Sequence, residues 1–593
     1  GCGSGGSSSG GTTGPTAQAT AVPAIQSIPP TVAVVGKTLT YDVDAIDADS
    51  TALIYSLTAA PAGMNIVPAT GVITWTPQAT QVGERTVSIT VSDGLNSRTQ
   101  TFVLSVFGVT QELASVQILS ATGGTVTVNT PTSSLNGLTL TFPPQALPGD
   151  TTIRVSELTT SSALAGGQLG NLRGISLEPD GLVLNSPVTV TIPFDPAELN
   201  SGGGIVLPDF LGVFFLDPHT GQKILQDTFR VDTVQNVLVG TLDHFSEYFP
   251  SPIGRLCPPP MGISPELLCP TTYTDTDLSS KYLPALLVHG FQLGGMGDET
   301  TWGDLRRLLL IHRNNDPQDR VKAWRFDYYS KDVSFRKTAW LLAATISRIK
   351  RATNQPAVNV VAHSFGGILT RTYLQGMASA DGTGNPAGPF LAYQGNVNKL
   401  MTLGTPHHGI GNQFSRLLAD ICANESGGQG FVWPTCFEAA TGLFETQGKG
   451  AFLRALNFLP LPPLESLEYP QYHVIIGQRF NNGVRGDGLA GDDGLITTAG
   501  ADICAAFGRP CNPNQISVRI YARSASETFA LCHTDIGPIG IGPIGDGDCG
   551  GQINVPMVAV NNVDHPSWTI IRDFLITGSP ADTASPPVGS STL

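Results

Sequence analysis

The hydrophobic pattern of this 593-residue chain changes its period once, near a Pro-rich break at residues 258–260. Before the break, short β-branched runs alternate apolar and polar residues between turn residues, which is typical of antiparallel β-sandwiches. After the break, short apolar runs alternate with amphipathic segments at helical spacing, which is typical of a parallel sheet covered by helices. One hydrophobic core cannot serve a chain of this length. We therefore predict a multidomain protein, with two N-terminal all-β sandwiches followed by a doubly wound, mostly parallel α/β domain.

The predicted domain boundaries follow changes in composition. A Gly/Ser/Thr/Ala tether without periodicity occupies residues 1–27, and the two β-sandwiches occupy residues 28–108 and 112–250. The α/β domain is predicted at residues 251–580, followed by a flexible tail at residues 581–593.

The charge balance excludes one class of partner. Asp and Glu number 47 against 32 Lys and Arg, which gives a net charge of −15, and no basic run interrupts the chain. Nucleic-acid binders need clustered cations, so no nucleic-acid partner is expected. No apolar run approaches the ~18 residues that a transmembrane helix requires. We interpret the acidic surface as a contribution to solubility.

Eight of the nine cysteines fall into four close pairs, and Cys2 stands alone. None of the spacings is CxxC and no histidine follows at zinc-finger intervals, so these cysteines are not predicted to bind metal. Local pairs suit disulfides in an oxidising compartment, although eight cysteines allow many connectivities. The pairs that proximity favours are Cys257/Cys269, Cys422/Cys436, Cys504/Cys511 and Cys532/Cys549.

The start of the chain, Gly1-Cys2 followed by a Gly/Ser-rich run, resembles a mature bacterial lipoprotein. The resemblance implies that Cys2 is acylated, that it anchors the chain to a membrane, and that the Gly/Ser run is a tether. The alternative interpretation is an accidental cysteine at a boundary. We expect an extracellular or cell-surface location.

Residues 29–108 carry the pattern L-x-Y-S-L, P-x-G-M-x-I, T-G-x-I-x-W-x-P and V-x-I-x-V-S-D-G, in that order. This pattern resembles a bacterial immunoglobulin-like, cadherin-like module. Related modules bind Ca²⁺ through carboxylates, and Asp44, Asp47 and Asp49 are candidates here. We favour the simpler interpretation that these residues form a solvated, turn-forming acidic loop.

Residues 112–250 contain FPPQALPGDT, EPDG, SPVTVTIP and HFSEY in order. This order resembles a β-sandwich of ankyrins and netrin receptors, which is usually an interaction or spacer module. We interpret His244, within H-F-S, as structural. The two β modules are therefore expected to form a stalk or docking arm that contacts a cell surface or an insoluble substrate.

A nucleophile is predicted at Ser364, within the sequence A-H-S-F-G. The serine follows the mostly apolar run Val358–Val361 and precedes Gly367-Ile368-Leu369, where a helix is predicted to start. A strand, a tight turn and a helix in this order lift a serine hydroxyl above a sheet and place a helix N-terminus behind it. A similar motif around Ser8 lies in the tether without a preceding strand, so we exclude it.

The sequence VVAHSFGGILTR, with LVHGF upstream and LGTPHHG downstream, resembles bacterial lipases of the α/β-hydrolase fold over about residues 255–577. The resemblance implies a serine carboxylic-ester hydrolase that acts on lipids or other hydrophobic esters, including polyesters, and needs no cofactor. It also implies that the oxyanion hole consists of the backbone N–H groups of Phe365 and of Phe291, the residue after His289-Gly290. Related lipases often hold a structural Ca²⁺, but its ligands cannot be assigned here.

The resemblance also implies an acid and a base, which follow the nucleophile in the order Ser, Asp, His. The loop GDDGLITTAGA resembles the lipase D-G loop and implies Asp493 as the acid that orients the base. Asp487, which is also followed by Gly-Leu, is the first alternative, and Asp492 is the second.

His565 lies in a loop directly before the closing helix, where the family places its catalytic histidine. His533, beside Cys532, is the alternative, and His473 lies inside a predicted strand before the acid and is assigned to the core. The gap between the acid and His565 is long for the family, and we explain it by inserted loops.

Substrate preference is less constrained by the sequence. Residues 410–465 are rich in apolar groups and suit a lid or an acyl-binding wall, or alternatively ordinary packing of an insertion. The same fold also hosts amidases and acyltransferases. A third hypothesis is a surface adhesion protein with an inactive hydrolase domain, although the intact Ser, Asp, His order disfavours it.

Overall fold

The computed structural model describes about three fifths of the chain, in segments separated by gaps. The described residues are 22–25, 27, 29–30, 32–47, 52–159, 174–200, 204–216, 223–226, 228–260, 269–270, 273, 278–290, 301–302, 304–311, 320–330, 333–380, 390–407, 456, 471–478, 516–522, 530–532, 554–556, 560 and 565–578. Within them, a β-rich N-terminal region precedes a region of mixed strands and helices, as the change of period predicts.

The first β module is built from short strands whose apolar residues face inward. Its strands are β1 (Ala24–Ile25), β2 (Val32–Val34), β3 (Leu39–Asp42), β4 (Ala45–Ile46), β5 (Ile54–Ala59), β6 (Asn65–Ile66), β7 (Val72–Trp75), β8 (Gly83–Ser92) and the first half of β9 (Ser97–Ile118). Strands β3, β7 and β6 form one sheet, while β5, β8, β9 and β2 belong to another. Trp75, Ile89 and Leu104 are buried in a core that both sheets share. This core gives the module its own hydrophobic centre.

The second β module follows the same principle. Its strands are β10 (Gly124–Thr127), β11 (Thr139–Phe142), β12 (Thr151–Thr159), β13 (Gly174–Glu178), β14 (Val183–Pro193), β15 (Leu211–Leu216), β16 (Lys223–Leu225), β17 (Arg230–Asp232), β18 (Val237–His244) and β19 (Glu247–Pro252). Strands β10, β11, β14, β18 and β17 form a five-stranded antiparallel sheet in that order. Short 3₁₀ helices lie at Ala79–Gln81 in the first module and at Pro196–Asn200 and Pro208–Phe210 in the second.

One strand joins the two β modules. Strand β9 pairs antiparallel with β8 from Ser97 to Val106, and with β12 from Gly108 to Ile118. The result is a nine-stranded sheet that contains strands of both modules. The predicted boundary at residues 108–112 therefore lies inside a continuous strand, and backbone hydrogen bonds hold both modules to it.

The C-terminal sheet contains seven strands in the order β20-β22-β21-β23-β26-β27-β28. All neighbouring pairs are parallel except β20 with β22. The strands of this region are β20 (Gly254–Cys257), β21 (Ala285–Val288), β22 (Ala323–Tyr328), β23 (Val358–His363), β24 (Ala378–Ser379), β25 (Phe390–Leu391), β26 (Val397–Leu403), β27 (Gln471–Gln478), β28 (Ile516–Ala522), β29 (Ala530–Cys532) and β30 (Asn554–Pro556). The described α-helices are α1 (Leu305–Ile311), α2 (Phe335–Thr353), α3 (Phe365–Leu374) and α4 (Pro566–Thr577).

Helices cover both faces of this sheet, because successive residues of a strand point to opposite faces. Val360 of β23 belongs to the apolar cluster that contains residues of α2 and α3. Val361, the next residue, belongs to the cluster that contains residues of α1 and α4. The near-continuous apolar runs of these strands follow from burial on both sides.

Local sequence signals account for the longest described helix. The Ser334 side chain accepts a hydrogen bond from the Lys337 N–H at the start of α2, and Asn354 ends the helix with a left-handed φ of 50°. Lys350 and Arg351 lie in its last turn, where positive charge complements the helix dipole. Of the described helices, none has the length and apolar character of a bilayer span.

The second β module packs directly against the C-terminal sheet. Strand β20 follows β19 almost immediately and forms an edge of that sheet. The Phe210 ring lies edge-on to Phe326 of β22, with ring centroids 5.9 Å apart. Cys257 and Cys269 form the predicted disulfide at this junction. Each of the other three predicted pairs includes a cysteine outside the described residues, so they stay predictions.

The acidic candidates of the first module do not form a metal site within the described residues. Asp44 and Asp47 are described and Asp49 is not. No group of three or more His, Cys, Asp or Glu side chains in the described segments is placed to hold a metal ion. Burial, together with the charge of Asp44, raises the pKa of the neighbouring Asp42.

Candidate active site

Ser364 lies at the junction of β23 and α3, in a backbone conformation that residues other than glycine rarely adopt. Its φ is 51° and its ψ is −125°, which costs about 1–3 kcal/mol and persists only when the surroundings enforce it. The Ser364 N–H donates to the Leu403 carbonyl at 2.9 Å, and the Ser364 carbonyl accepts from the Gly367 N–H at 3.0 Å. The neighbouring strand and the first turn of the helix therefore hold the turn from both sides.

Two glycines allow the turn at Ser364 to approach β21. A β-carbon on Gly290 would lie 2.7 Å from the Ser364 Cβ. A β-carbon on Gly366 would lie 2.5 Å from the His289 carbonyl oxygen and 2.6 Å from that of Val288. These distances are shorter than any real carbon contact, and backbone atoms cannot move aside easily. Only glycine at both positions permits this packing.

Of the two residues predicted to donate to the oxyanion, the structure describes Phe365 and not Phe291. Phe365 is the first residue of α3, and its buried ring packs 5.7 Å from the Phe335 ring. The first N–H groups of a helix have no partner inside the helix and point toward its N-terminal end. Phe291 lies outside the described residues, but Gly290, directly before it, lies against Ser364. Phe365, the described residue of the predicted oxyanion hole, thus directly follows Ser364 at the start of α3.

His565 is the residue that precedes α4, and its ring caps that helix. Its Nδ1 accepts a hydrogen bond from the Ser567 N–H at 3.2 Å. Its Nε2 has no hydrogen-bond partner among the described residues, and the side chain is 8 % exposed. Burial lowers the pKa of His565 to about 4. The imidazole is therefore neutral at pH 7, with its proton on Nε2 in this arrangement because Nδ1 is an acceptor.

His565 and Ser364 lie at the same edge of the C-terminal sheet. Lys399, near the start of β26, donates from Nζ to the carbonyl of Gly578, which follows the end of α4. Helix α4 also packs with Leu403, at the end of β26, in one apolar cluster. The helix therefore runs antiparallel to β26, and its N-terminus lies where the parallel strands end. Ser364 follows the end of β23 and lies at that edge too.

Most remaining predicted residues lie outside the described part of the chain. Asp493, Asp487 and Asp492 are not described, and neither is His533. All of the predicted lid segment at residues 410–465 except Leu456 is also undescribed. His473 is buried inside β27, where its ring lies 5.4 Å from Phe574 of α4. That position is between the sheet and a helix.

Behind the nucleophile, the structure contains a buried network of hydrogen-bonded polar side chains that the sequence analysis did not predict. Arg371 of α3 donates from Nη1 to Nδ1 of His407 at 3.2 Å, so Nε2 of His407 carries the proton toward the Thr402 hydroxyl, also at 3.2 Å. Burial, together with the charge of Arg371, lowers the pKa of His407 well below its usual value. Burial also lowers the pKa of Arg371 to about 10. The network connects the helix behind Ser364 to the end of β26.

A second unpredicted group is an ion cluster at the end of β22. Asp327 is fully buried, and its carboxylate accepts from Arg325 at 2.5 and 2.8 Å and from Arg255 at 2.9 Å. Burial alone would raise the pKa of Asp327, but the charges of the two guanidinium groups hold it below its usual value. Since a buried carboxylate needs such partners, the cluster fixes the strand end beside β21.

Comparison with known families places two domains on the chain. Residues 21–107 match the family described as "Putative Ig domain", and residues 341–460 match the family "Lipase (class 2)". The chain thus carries an immunoglobulin-like domain followed by a lipase-like domain. The lipase match includes most of α2, the turn at Ser364 and β26. Among curated proteins, none matches the chain.

Similar solved structures include two bacterial lipolytic enzymes. The mature lipase BlEst2 of Bacillus licheniformis is 18 % identical over 37 % of this chain and 79 % of that one, with a TM-score of 0.26. Phospholipase PlaB of Legionella pneumophila is 14 % identical over 37 % of this chain and 44 % of that one, with a TM-score of 0.26. The lin2722 product of Listeria innocua is 13 % identical over 41 % and 85 %, with a TM-score of 0.24.

Proposed function

We propose that the chain is a serine carboxylic-ester hydrolase of lipase type, with Ser364 as its nucleophile. The observation that carries the proposal is the strained backbone of Ser364 between a buried parallel strand and a helix, with Gly290 packed against it. Backbone strain of this kind is concentrated at sites where it positions a reactive group. The lipase family match over residues 341–460 supports the same assignment.

His565 is proposed as the general base. It lies at the same edge of the sheet as Ser364, and its burial keeps the imidazole neutral and able to accept a proton. A base acting through Nε2 needs its proton on Nδ1, whereas Nδ1 accepts from Ser567 in the described arrangement. The proposed role of Asp493 is to accept a hydrogen bond from the protonated Nδ1 of His565, which favours the tautomer whose Nε2 is free to act as the base. Asp487 and Asp492 remain the alternative acids, and His533 the alternative base.

The proposed reaction has two halves. Ser364 Oγ attacks the ester carbonyl as His565 takes its proton, and the N–H groups of Phe365 and Phe291 stabilise the oxyanion. His565 then gives the proton to the departing alcohol, which leaves an acyl group on Ser364. In the second half, His565 activates a water molecule that releases the acid and restores the serine. No step in this sequence requires a cofactor or a metal ion.

The proposed substrates are lipids, medium-chain esters or polyesters, since the family match is to lipases. The proposed fold is an α/β-hydrolase domain preceded by two β-sandwiches. We propose further that an acylated Cys2 anchors the chain at a cell surface, as a bacterial lipoprotein, and that the β modules contact the surface or an insoluble substrate. Because the second β module packs on the C-terminal sheet, it would present the active site in a fixed orientation.

The test is covalent labelling with a fluorophosphonate probe, followed by peptide mapping. The proposal predicts one labelled peptide, containing Ser364, in the native wild type and none in heat-denatured protein. The Ser364→Ala variant should remain unlabelled while keeping its native circular dichroism. Labelling at another serine, or equal labelling of the Ser364→Ala variant, would contradict the assignment.

A further inference from the structure

The side chain of His289 is fully buried and has a defined tautomer. Its Nε2 accepts the backbone N–H of Tyr328 at 3.2 Å, so in the neutral ring the proton must lie on Nδ1. Nδ1 lies 2.7 Å from the carbonyl oxygen of Gly290. His289 therefore donates a short hydrogen bond to the carbonyl of the very next residue.

Tyr328 holds His289 from two further directions. The two rings are stacked, with centroids 4.2 Å apart and planes inclined by 16°. The Tyr328 hydroxyl donates to the His289 carbonyl at 2.8 Å. This arrangement is possible because β21 and β22 are parallel neighbours with Val288 opposite Phe326, which brings Gly290 level with Tyr328. The imidazole, its backbone and the tyrosine thus form one rigid unit, here called the His289–Tyr328 clamp.

The clamp rests on a fixed strand end. Tyr328 directly follows Asp327, whose buried carboxylate is held by Arg325 and Arg255. Arg255 belongs to β20, so this edge strand of the C-terminal sheet helps to fix β22. Movement of Tyr328 would have to disturb this ion cluster. Because the end of β22 is fixed, the clamp also restrains the backbone of Gly290.

The clamp acts on the backbone that faces the nucleophile. Gly290 lies against Ser364, and the His289 carbonyl lies against Gly366. His289 Nδ1 holds the carbonyl oxygen of Gly290 at 2.7 Å. Without this hydrogen bond, the Gly290 carbonyl could rotate to face the serine and would repel the negative charge of a tetrahedral intermediate.

We propose that His289 and Tyr328 are positioning residues, which hold the Gly290 carbonyl so that its oxygen does not face the oxyanion formed at Ser364. This inference rests on the proposed ester hydrolysis. It assigns a role to side chains, whereas the donors themselves act through the backbone. Loss of the clamp should weaken stabilisation of the transition state and leave substrate binding nearly unchanged.

The experiment compares kcat and KM of the full chain for a p-nitrophenyl ester across a small set of variants. His289→Leu removes both ring nitrogens, while His289→Asn keeps a donor near the position of Nδ1. We expect kcat of His289→Leu to fall about tenfold or more with KM within about twofold, and His289→Asn to recover part of the loss. Tyr328→Phe, which removes only the hydroxyl, should lower kcat by a smaller factor.

Tyr248→Phe is the matched control, because Tyr248 is equally buried and its hydroxyl donates to the His244 carbonyl at 2.7 Å, inside the second β module. Its kcat should equal that of the wild type, although its stability should fall as much as that of Tyr328→Phe. If His289→Leu does not fold, the comparison of His289→Asn and Tyr328→Phe with this control decides the question.

The inference is overturned if the clamp variants keep wild-type kcat, or if kcat falls equally in Tyr248→Phe. A wild type that hydrolyses no ester would instead contradict the proposed function. In that case, the rate at which a fluorophosphonate labels Ser364 tests the clamp, since the same donors stabilise the phosphonyl oxygen. An unchanged labelling rate in His289→Asn and Tyr328→Phe would overturn the inference there as well.

Discussion

The backbone of Gly290 approaches Ser364 so closely that a β-carbon on the glycine would lie 2.7 Å from the serine Cβ. The two residues follow the ends of adjacent parallel strands, β21 and β23. A turn after one strand is thereby placed against the strained turn after the other. This contact supports the proposal that the two turns supply the oxyanion donors and the nucleophile of one site.

Gly290→Ala should damage the active site because the new methyl group must displace Ser364 or the turn itself. We expect kcat/KM for a p-nitrophenyl ester to fall about a hundredfold and the free energy of unfolding to fall by about 1–3 kcal/mol. Gly149→Ala is the control, because a β-carbon there meets nothing within 4 Å. Full activity in Gly290→Ala would mean that the two turns are not held in this contact.

Acidification should destabilise the protein partly through His565. Its pKa is lowered to about 4 in the folded chain from 6.5, so the unfolded chain binds more protons between these pH values. Its contribution to stability is therefore complete above about pH 6.5 and is lost as the pH falls toward 4. The full effect is on the order of 3 kcal/mol. His407, whose pKa is also lowered, acts in the same direction.

Urea unfolding of the wild type and of His565→Gln, at several pH values between 4 and 7, measures this contribution. The free energy of unfolding should fall less steeply with decreasing pH in the variant. Equal slopes in the two proteins would show that His565 is not buried as a neutral group.

The Phe210 side chain should link the stability of the second β module to that of the C-terminal sheet, so Phe210→Ala should destabilise both. Phe210 is fully buried against Phe326, so truncation to alanine should lower the free energy of unfolding by about 3–5 kcal/mol. We expect the midpoints of denaturant unfolding, followed by far-UV circular dichroism and by ester hydrolysis, to shift together. Phe390→Ala, at a partly exposed site, should shift neither midpoint by a comparable amount. Loss of structure without any change in the activity midpoint would contradict this coupling.

Local patterns predicted the elements that carry the nucleophile. The run Val358–Val361 and the glycines after Ser364 indicated a strand, a turn and a helix, and the structure has β23, Ser364 and α3 in those positions. Helix α2 likewise carries local signals, namely an amphipathic period and a basic last turn.

Features that depend on pairing between distant segments were not predicted. Strand β20 has four residues, too few to show a period, and its pairing with β22 makes it part of the sheet. The hydrogen bond of His407 is made with Arg371, a residue of another element, and no local sequence pattern indicates this pairing. The continuity of β9 across the two modules likewise depends on β8 and β12, which pair with its two halves.

Ser364 is tested most directly by hydrolysis of a p-nitrophenyl ester series of increasing acyl length, with the wild type and Ser364→Ala compared. We expect the wild type to hydrolyse at least one member of the series, and Ser364→Ala to lose at least about a thousandfold in kcat while remaining folded. The preferred acyl length would then distinguish an esterase from a lipase. Equal hydrolysis by both proteins, or none by a folded wild type, would contradict the assignment of Ser364 as the nucleophile of an ester hydrolase.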